Sequence, residues 1–425
     1  MTSQDVSRAT VSTLMLAVFT VSVGYGVVLP LLPYLIERLL GAAVVPAQVS
    51  RHTGLLTGVY TLALFVFAPG WGLASDRLGR RNVLLVGLLG FGMTMTVFAF
   101  VESLAAVYTE RFLSGLFAAA VTPVAAAAIG DFPTTDQLRA RRLAFVSMAG
   151  IAGFLLGPML SVFVSGLVNL LAIPQLAGSL RFPLVVTALL AAVVAAAVAV
   201  TLPRGRAHER SRKAGPTSAG SNIRLVPTLL ALTFVVSTGV GVFEVGLALR
   251  GKQELGLAPY QIALMFSECS LVMFVVQAIV FSPGVKPAIT RWLITPALGV
   301  LASSLFLVPR ASDFALMLVV VGGVAASAGI LSPILTYWIS TKAGNAQGWE
   351  LGKQTAAASL GVTTGSAAGG LLFNVAGLPG ASFILAATLA VLALVLSLRL
   401  PHWLTSGDPD AATKGETLAG TSDPS

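Results

Sequence analysis

The sequence has little charge, one cysteine and three histidines, and these scarcities exclude several classes of protein. Only 10% of the 425 residues are charged, whereas 56% are hydrophobic. A soluble domain of this size needs more charge to cover its surface. The single Cys269 excludes an intramolecular disulfide framework and a cysteine-ligated zinc site. The sequence contains no Walker loop and no acid-rich metal loop, so we expect no enzyme, no ATP-driven activity and no cofactor.

Long apolar runs recur along the chain and predict membrane-spanning helices. A helix of about 20 apolar residues crosses a hydrocarbon core of about 30 Å. The first run lacks a signal-peptide cleavage site, so we interpret it as a retained span. The predicted spans lie near residues 12–36, 54–75, 83–101, 104–128, 143–167, 182–202, 227–249, 260–281, 292–309, 314–338, 354–373 and 381–400.

These twelve spans fall into two groups of six. We predict an N-terminal bundle at residues 1–202, a basic linker at 203–225, a C-terminal bundle at 226–402 and a tail at 403–425. The linker and the tail are polar and contain many turn-forming residues, which is typical of flexible segments. The predicted fold class is therefore an all-α polytopic membrane protein with two six-helix bundles.

The positions of lysine and arginine predict the orientation of the spans, because these residues remain cytoplasmic. If both termini are cytoplasmic, 19 of the 26 basic residues lie on cytoplasmic segments, six lie outside, and Arg111 lies within a span. This placement explains most of the net charge of +9 without a nucleic-acid partner. The composition, rich in Ala, Gly and Arg, indicates a bacterial source and hence the inner membrane.

A weak internal repeat relates the two groups of spans. V-F-A-P-G at residues 66–70 recurs as V-F-S-P-G at residues 280–284, an offset of 214. Two glycines of the fifth span, Gly153 and Gly157, match two of the eleventh, Gly361 and Gly365. Together with the six-plus-six pattern, these matches predict two parallel halves related by an axis along the membrane normal.

The strongest motif is G-L-A-S-D-R-L-G-R-R-N-V-L at residues 72–84, between the second and third spans. It resembles the G-x-L-a-D-R-x-G-R-R-x-x-L signature of the major facilitator superfamily. Its glycines permit close approach and a tight turn, and its aspartate can pair with arginine. We predict that this segment forms a cytoplasmic latch between transport states; the alternative is a basic turn that only fixes topology. The predicted latch residues are Gly72, Asp76, Arg77, Gly79, Arg80, Arg81 and Asp131.

A second motif, R-F-L-S-G-L-F-A-A, begins at Arg111 in the fourth span. It resembles the R-x-x-x-G-x-x-A-A motif of the same superfamily, with Ser114 where Gln is common. The resemblance links Arg111 to proton coupling, and an arginine within a span normally faces a wet cavity or an acid. The alternative is an arginine that extends to the outer interface. Glu110 precedes it, but adjacent residues of a helix do not share a face, so we do not expect them to pair.

Small residues in the fifth span form a third motif that resembles the antiporter signature G-x-x-x-G-P-x-x-G-G. Glycines four residues apart allow close helix packing, and a proline bends the helix. The sequence departs from the signature after the proline, and the alternative is an ordinary packing ridge. The eleventh span offers a similar ridge, which we expect to be its partner. The residues of the two ridges are Gly150, Gly153, Gly157 and Pro158, and Gly361, Gly365 and Gly369.

Two acids lie within predicted spans and are candidates for proton coupling. Glu244 lies in the seventh span and Glu268 near the middle of the eighth, which makes Glu268 the better candidate by depth. A low-dielectric environment favours the protonated form of a carboxyl group, so such a group can hold and release a proton. Alternatively, either acid bonds a neighbouring helix or faces a watery vestibule. Tyr25, flanked by glycines in the first span, is a guess for a cavity residue.

The resemblance implies a secondary transporter of the drug/proton antiporter branch that exports a small amphipathic compound by alternating access. Its expected partners are a small-molecule substrate, protons and the lipid bilayer, and the family habit is a monomer. Arg111 permits an anionic substrate, whereas Glu244 and Glu268 permit a cationic one. Two alternatives remain: a uniporter or proton symporter for a nutrient, and a receptor or scaffold that transports nothing.

Overall fold

A computed structural model of the chain describes residues 8–41, 43–131, 136–170, 181–203, 225–280, 287–342, 347–375, 377–398 and 400. Most of the predicted linker and all of the predicted tail lie outside the described residues, as do residues 1–7. The proposed domain boundaries therefore stay predictions.

The described residues form helices and no strand. This follows from the sequence, because a chain in a bilayer must satisfy its backbone hydrogen bonds internally. The helices are α1 Arg8–Leu40, α2 Pro46–Leu78, α3 Arg80–Ala99, α4 Leu104–Ala118, α5 Thr122–Gly130, α6 Asp136–Leu170, α7 Arg181–Thr201, α8 Leu225–Gln253, α9 Pro259–Val280, α10 Ile294–Leu307, α11 Phe314–Lys342, α12 Gln347–Leu371 and α13 Ala381–Ser397.

The predicted fold class is confirmed: the helices build twelve spans in two bundles, with α1–α7 as the N-terminal half and α8–α13 as the C-terminal half. Within the described ranges, nine helices are long and apolar enough to cross a membrane by length and composition. Two helices form the fourth span, α4 and α5, and Pro123 lies in the first turn of α5. A 3-10 helix, Pro287–Leu293, precedes α10.

Glycines of α6 bring its backbone against α1. A methyl group at Gly157 would lie 2.6 Å from the carbonyl oxygen of Val23, and one at Gly153 would lie 2.9 Å from Cβ of Ser22. Neither distance leaves room for a side chain, so glycine is required where the two helices meet. The first and fifth spans therefore pack as one unit within the N-terminal half.

The glycines of α12 make the equivalent contact with α8 in the C-terminal half. A methyl group at Gly361 would lie 2.5 Å from the carbonyl oxygen of Phe234, and one at Gly365 would lie 3.0 Å from Cα of Thr238. Gly369 lies against Val242 of the same helix. The expectation that the ridges of the fifth and eleventh spans are partners was wrong, because each packs on the first helix of its own half. The two ridges are instead equivalent members of the internal repeat.

The halves contact each other through small residues of α2 and α12. A methyl group at Gly54 would lie 2.5 Å from the carbonyl oxygen of Ser366 and 2.6 Å from Cα of Gly370. About two turns further along α2, the hydroxyl groups of Thr61 and Thr363 lie 3.0 Å apart. This close backbone contact between halves was not predicted from the sequence.

Polar side chains also join the halves at the end of the bundle where α1 ends and α2 begins, which we name the far end. Lys252 of α8 pairs with Glu37 of α1, and the Tyr34 hydroxyl donates to the carbonyl oxygen of Leu257 at 2.5 Å. The far end also holds a cluster in which the hydroxyl of Ser50 accepts hydrogen bonds from the side-chain amides of Gln253 and Asn374. We name the opposite end, which carries residues 72–84, the motif end.

Candidate functional site

A cavity of about 190 Å³ lies between the two halves, midway along the spans. Helices α1 and α6 form one wall, and α8, α9 and α11 form the other. Its lining is apolar and aromatic, and Glu244 is the only carboxylic acid among the described residues that line it. The lining residues are Tyr25, Gly150, Ile151, Phe154, Val240, Phe243, Glu244, Phe266, Cys269, Met273, Val324, Ala325 and Ala328.

A hydrogen bond crosses the cavity from one half to the other. The hydroxyl of Tyr25 in α1 donates to Oε2 of Glu244 in α8 at 2.6 Å. Tyr25, a guess for a cavity residue, does line this cavity, and its pairing with Glu244 was not predicted from the sequence. Tyr25 also stacks on Tyr60 and Phe154, with ring centroids 5.1 and 5.7 Å away. Aromatic contacts of this kind fix the direction in which its hydroxyl points.

Arg111 lies behind this aromatic stack rather than in the cavity lining. Its guanidinium carbon is 5.5 Å from the ring centroid of Tyr60 and 4.5 Å from that of Phe98. Arg111 is 2% exposed, so the alternative in which it extends to the outer interface is not what the structure shows. Gly115 allows α4 to approach Tyr60, because a methyl group there would lie 2.8 Å from Cβ of Ala63.

Arg111 is paired with Glu110, and the expectation that these neighbours do not pair was wrong. Its Nε and Nη2 donate to the two carboxylate oxygens of Glu110 at 2.7 and 2.9 Å. Both side chains are buried, at 2% and 1% exposure. Although adjacent Cα–Cβ bonds diverge on a helix, the longer side chains bend into one pocket, because neither charge can remain unpaired there. The charge of Arg111 is therefore balanced locally.

Glu268 lies outside the cavity lining, one residue before Cys269, which does line the cavity. It points toward α11, where a methyl group at Gly322 would lie 3.5 Å from its Oε1. Its Oε2 is buried and has no hydrogen-bond partner within the described part of the chain. Depth along the span favoured Glu268, but the rotation of the helices places Glu244 at the boundary between halves.

Arg80 is the centre of the charge cluster at the motif end. It pairs with Asp76 at 2.6 Å and with Asp131, which follows α5, at 2.8 Å. It also donates to the hydroxyl of Ser75. Gly79 has a φ of 89°, in the region that favours glycine, and it forms the tight turn between α2 and α3. These contacts tie three spans of the N-terminal half together.

Three other residues of the predicted latch have different surroundings. Arg81 donates to the carbonyl oxygen of Ala199 near the end of α7, which suits the negative end of a helix. Arg77 is exposed. Gly72 lies within α2, and a methyl group there would meet no atom within 4 Å, so the close approach expected at Gly72 is absent.

Gly150 and Pro158 complete the ridge of α6. Gly150 lines the cavity, and a methyl group there would make ordinary contacts of 3.4 and 3.5 Å with α1. Pro158 lies opposite Gly26, where a methyl group would lie 3.0 Å from its Cδ. The ridge thus combines helix packing with a place in the cavity wall.

Comparisons with known proteins agree with this architecture. The sequence profile of the Major Facilitator Superfamily matches residues 14–349. Multidrug resistance protein 2 of Bacillus subtilis is 26% identical over 84% of this chain and 87% of its own length. The quinolone resistance protein NorA of Staphylococcus aureus is 23% identical over 84% of this chain and 88% of its own length.

Two solved structures share the fold. The human organic anion transporter TETRAN aligns with a TM-score of 0.69 at 20% identity, covering 93% of this chain and 100% of its own. A bacterial homologue of the human lysosomal transporter Spinster, in an inward-facing and unoccupied conformation, aligns with a TM-score of 0.65 at 14% identity, covering 94% and 98%. With the profile matching most of its length, the chain belongs to the major facilitator superfamily and is a membrane transporter, not an enzyme.

Proposed function

We propose that this transporter exports lipophilic cations in exchange for protons, and that Glu244 binds both. The observation that carries the proposal is that, among the described residues, Glu244 is the one carboxylic acid lining an apolar, aromatic cavity between the two halves. An acid in such a place can take up a proton or pair with a cation, but not both at once. The resemblance to multidrug and quinolone resistance proteins supports export of an amphipathic compound.

The surroundings of the cavity favour a cationic substrate over an anionic one. Arg111, which could attract an anion, lies behind Tyr60 and is already paired with Glu110 at 2.7 Å. Glu244, in contrast, has the hydroxyl of Tyr25 as its only hydrogen-bond partner within the described part of the chain. The faces of Tyr25 and Phe154 add an environment in which an organic cation is stabilised by aromatic rings.

The orientation of the carrier follows from the distribution of basic residues. We place both termini in the cytoplasm, because most of the lysines and arginines then lie on cytoplasmic segments. The far end then faces outward, and Glu37, Lys252 and the Ser50 cluster close that side. The contacts of Arg80 at the motif end then act on the cytoplasmic side, as a latch that changes between states. We propose a monomer in a bacterial inner membrane.

Proteoliposomes with an imposed pH gradient test the exchange. We expect ethidium, a lipophilic cation, to collapse the gradient, and a neutral or anionic compound of similar size to leave it intact. Glu244→Gln keeps the shape of the side chain but cannot bind a proton, so it should abolish the response. Glu268→Gln is the matched control and should retain it, because Glu268 does not line the cavity.

Two outcomes would contradict the proposal. If ethidium equilibrates across the membrane without moving protons, the protein is a facilitator. If Glu268→Gln abolishes the response and Glu244→Gln retains it, the coupling site lies between α9 and α11 instead.

A further inference from the structure

Tyr25 is packed into the N-terminal half, because other helices of that half approach α1 closely at the glycines on both sides of it. A methyl group at Gly24 would lie 2.9 Å from Cε1 of Phe91 in α3. One at Gly26 would lie 2.8 Å from the carbonyl oxygen of Phe154 in α6. Because α3 and α6 pack this closely on α1 at the two glycines, we expect the hydroxyl of Tyr25 to move with the N-terminal half.

Glu244 is packed into the C-terminal half in the same way. A methyl group at Gly241, one turn before it, would lie 2.5 Å from the carbonyl oxygen of Val362 in α12. One at Gly246 would lie 2.8 Å from Cε1 of Phe383 in α13. The hydrogen bond from Tyr25 to Glu244 therefore joins two closely packed bodies, and its strength bears directly on their relative position.

Few titratable groups surround this hydrogen bond in the part of the chain that the structure describes. The cavity faces of α8 and α11 contribute valine, alanine and phenylalanine, and the parts of α12 and α13 packed on α8 contribute glycine, valine and phenylalanine. Among the described residues, the titratable groups near Glu244 lie on four helices. They are Tyr25 of α1, Tyr60 of α2 behind it, Arg111 and its partner Glu110 of α4 behind Tyr60, and Glu268 and Cys269 of α9.

We propose that Tyr25 is a positioning residue that holds the empty carrier in the state described here, by donating its hydrogen bond to the ionised carboxylate of Glu244. This inference rests on the proposed function. A proton or a cation on Glu244 neutralises the carboxylate, and the hydroxyl then loses its charged acceptor. A loaded carrier is therefore released to change state, whereas an empty one is held.

This arrangement supplies a property that exchange requires. A carrier that returned empty would let substrate or protons run down their gradients alone, and the two fluxes would lose their coupling. Any difference in movement between loaded and empty carriers needs an interaction that distinguishes them. The Tyr25–Glu244 hydrogen bond is such an interaction, because it depends on the charge of the group that carries the load.

Tyr25→Phe tests the inference, because it keeps the stacked ring and removes the hydroxyl. The measurement is the proton flux down a pH gradient in proteoliposomes, first without a substrate and then with ethidium. A hydrogen bond to a charged group changes an equilibrium by about tenfold to a hundredfold. In Tyr25→Phe we therefore expect the ratio of the proton flux without ethidium to the proton flux with ethidium to rise by about tenfold to a hundredfold. Adding Glu244→Gln should remove the flux again, because the proton site is gone.

Tyr34→Phe is the matched control. Tyr34 also lies in α1 and also bonds the C-terminal half, but its acceptor is the carbonyl oxygen of Leu257, which does not titrate. Its loss should affect loaded and empty carriers alike and leave the ratio of the two fluxes unchanged. A rise in the ratio for Tyr34→Phe equal to that for Tyr25→Phe would overturn the inference.

Distances between spin labels give a second readout that needs no transport. Val200 at the end of α7 and Leu398 after α13 are exposed and lie on different halves, and Cys269→Ser removes the native cysteine. At alkaline pH we expect a single distance between the two spin labels in the parent chain. In Tyr25→Phe and in Glu244→Gln we expect a second distance in addition to the first. If these variants keep the single distance, Tyr25 does not hold the empty carrier, even where ethidium still exchanges for protons. If ethidium moves no protons but the distances change as expected, the exchange proposal fails and the holding contact stands.

Discussion

Gly54 provides the sharpest test of how the two halves meet. Gly54→Ala would place a methyl group 2.5 Å from the carbonyl oxygen of Ser366 and 2.6 Å from Cα of Gly370. Both neighbours are backbone atoms of α12, which cannot rotate away. Overpacking of this kind raises the free energy of a packed state by about 1–3 kcal/mol. Because the clash lies between halves, it should disfavour the state described here and leave each half folded.

Gly58→Ala is the matched control on the same helix face. The nearest atom to its added methyl group is the carbonyl oxygen of Thr363, at 3.3 Å, and the next is 3.9 Å away. A shift of a few tenths of an ångström relieves that contact, so we expect little change. The penalty at Gly54 corresponds to a change of about fivefold to a hundredfold in the population of the described state relative to the other transport state.

The assay compares the two variants by spin-label distances and by thermal unfolding. We expect Gly54→Ala to lose population of the described state and to slow ethidium exchange, with an unfolding temperature near that of the parent chain. Gly58→Ala should resemble the parent in both respects. Equal behaviour of the two variants would refute the close α2–α12 contact, and a large fall in unfolding temperature for Gly54→Ala would show that the clash lies within a folded unit.

Three further predictions concern stability and the far end. Glu110→Gln leaves the buried Arg111 without its charged partner and should lower the free energy of unfolding by about 3–5 kcal/mol. Adding Arg111→Met should restore most of this loss in a thermal unfolding assay. No recovery would contradict the pairing. Gly153→Ala should lower the unfolding temperature. Gly150→Ala should not, because its added methyl group would make ordinary contacts of 3.4 and 3.5 Å. Equal effects of the two substitutions would count against the α1–α6 contact. Lys252→Met removes the ion pair with Glu37, whose side chain is 51% exposed. Because exposed pairs contribute little, the rate of ethidium exchange should change by less than about twofold. A larger fall would mean that this pair closes the far end by itself.

Much of the architecture could be predicted from the sequence, because hydropathy reports directly on burial in a bilayer. Span length and polarity predicted which segments form helices, but not the start of α2 at Pro46 or the division of the fourth span into α4 and α5. The motif at residues 72–84 lies at the predicted turn between α2 and α3. Gly79 was assigned to a tight turn, and its φ of 89° agrees with that role. These features depend on local chemistry alone.

The site was harder to predict because it depends on rotation around helix axes and on neighbours distant in sequence. The predicted spans place Glu268 deeper than Glu244, but each acid lies nine residues from the nearer end of its helix, and of the two only Glu244 lines the cavity. The pairing of Arg111 with Glu110 depends on how two long side chains bend, which helix periodicity does not describe. Gly54 and Gly58 carried a signal, since their four-residue spacing is typical of close helix contacts.

The two kinds of glycine contact explain where the molecule can move. Gly153 and Gly361 sit at pairings inside each half, α6 on α1 and α12 on α8, where loosening a contact would unfold part of the bundle. Gly54 sits at the pairing between halves, where loosening only separates α2 from α12. Added volume should therefore reduce stability at the first two positions and shift the balance of states at the third. Because the Tyr25–Glu244 hydrogen bond crosses the same boundary as Gly54, loading of the acid and movement of the halves are coupled at one place.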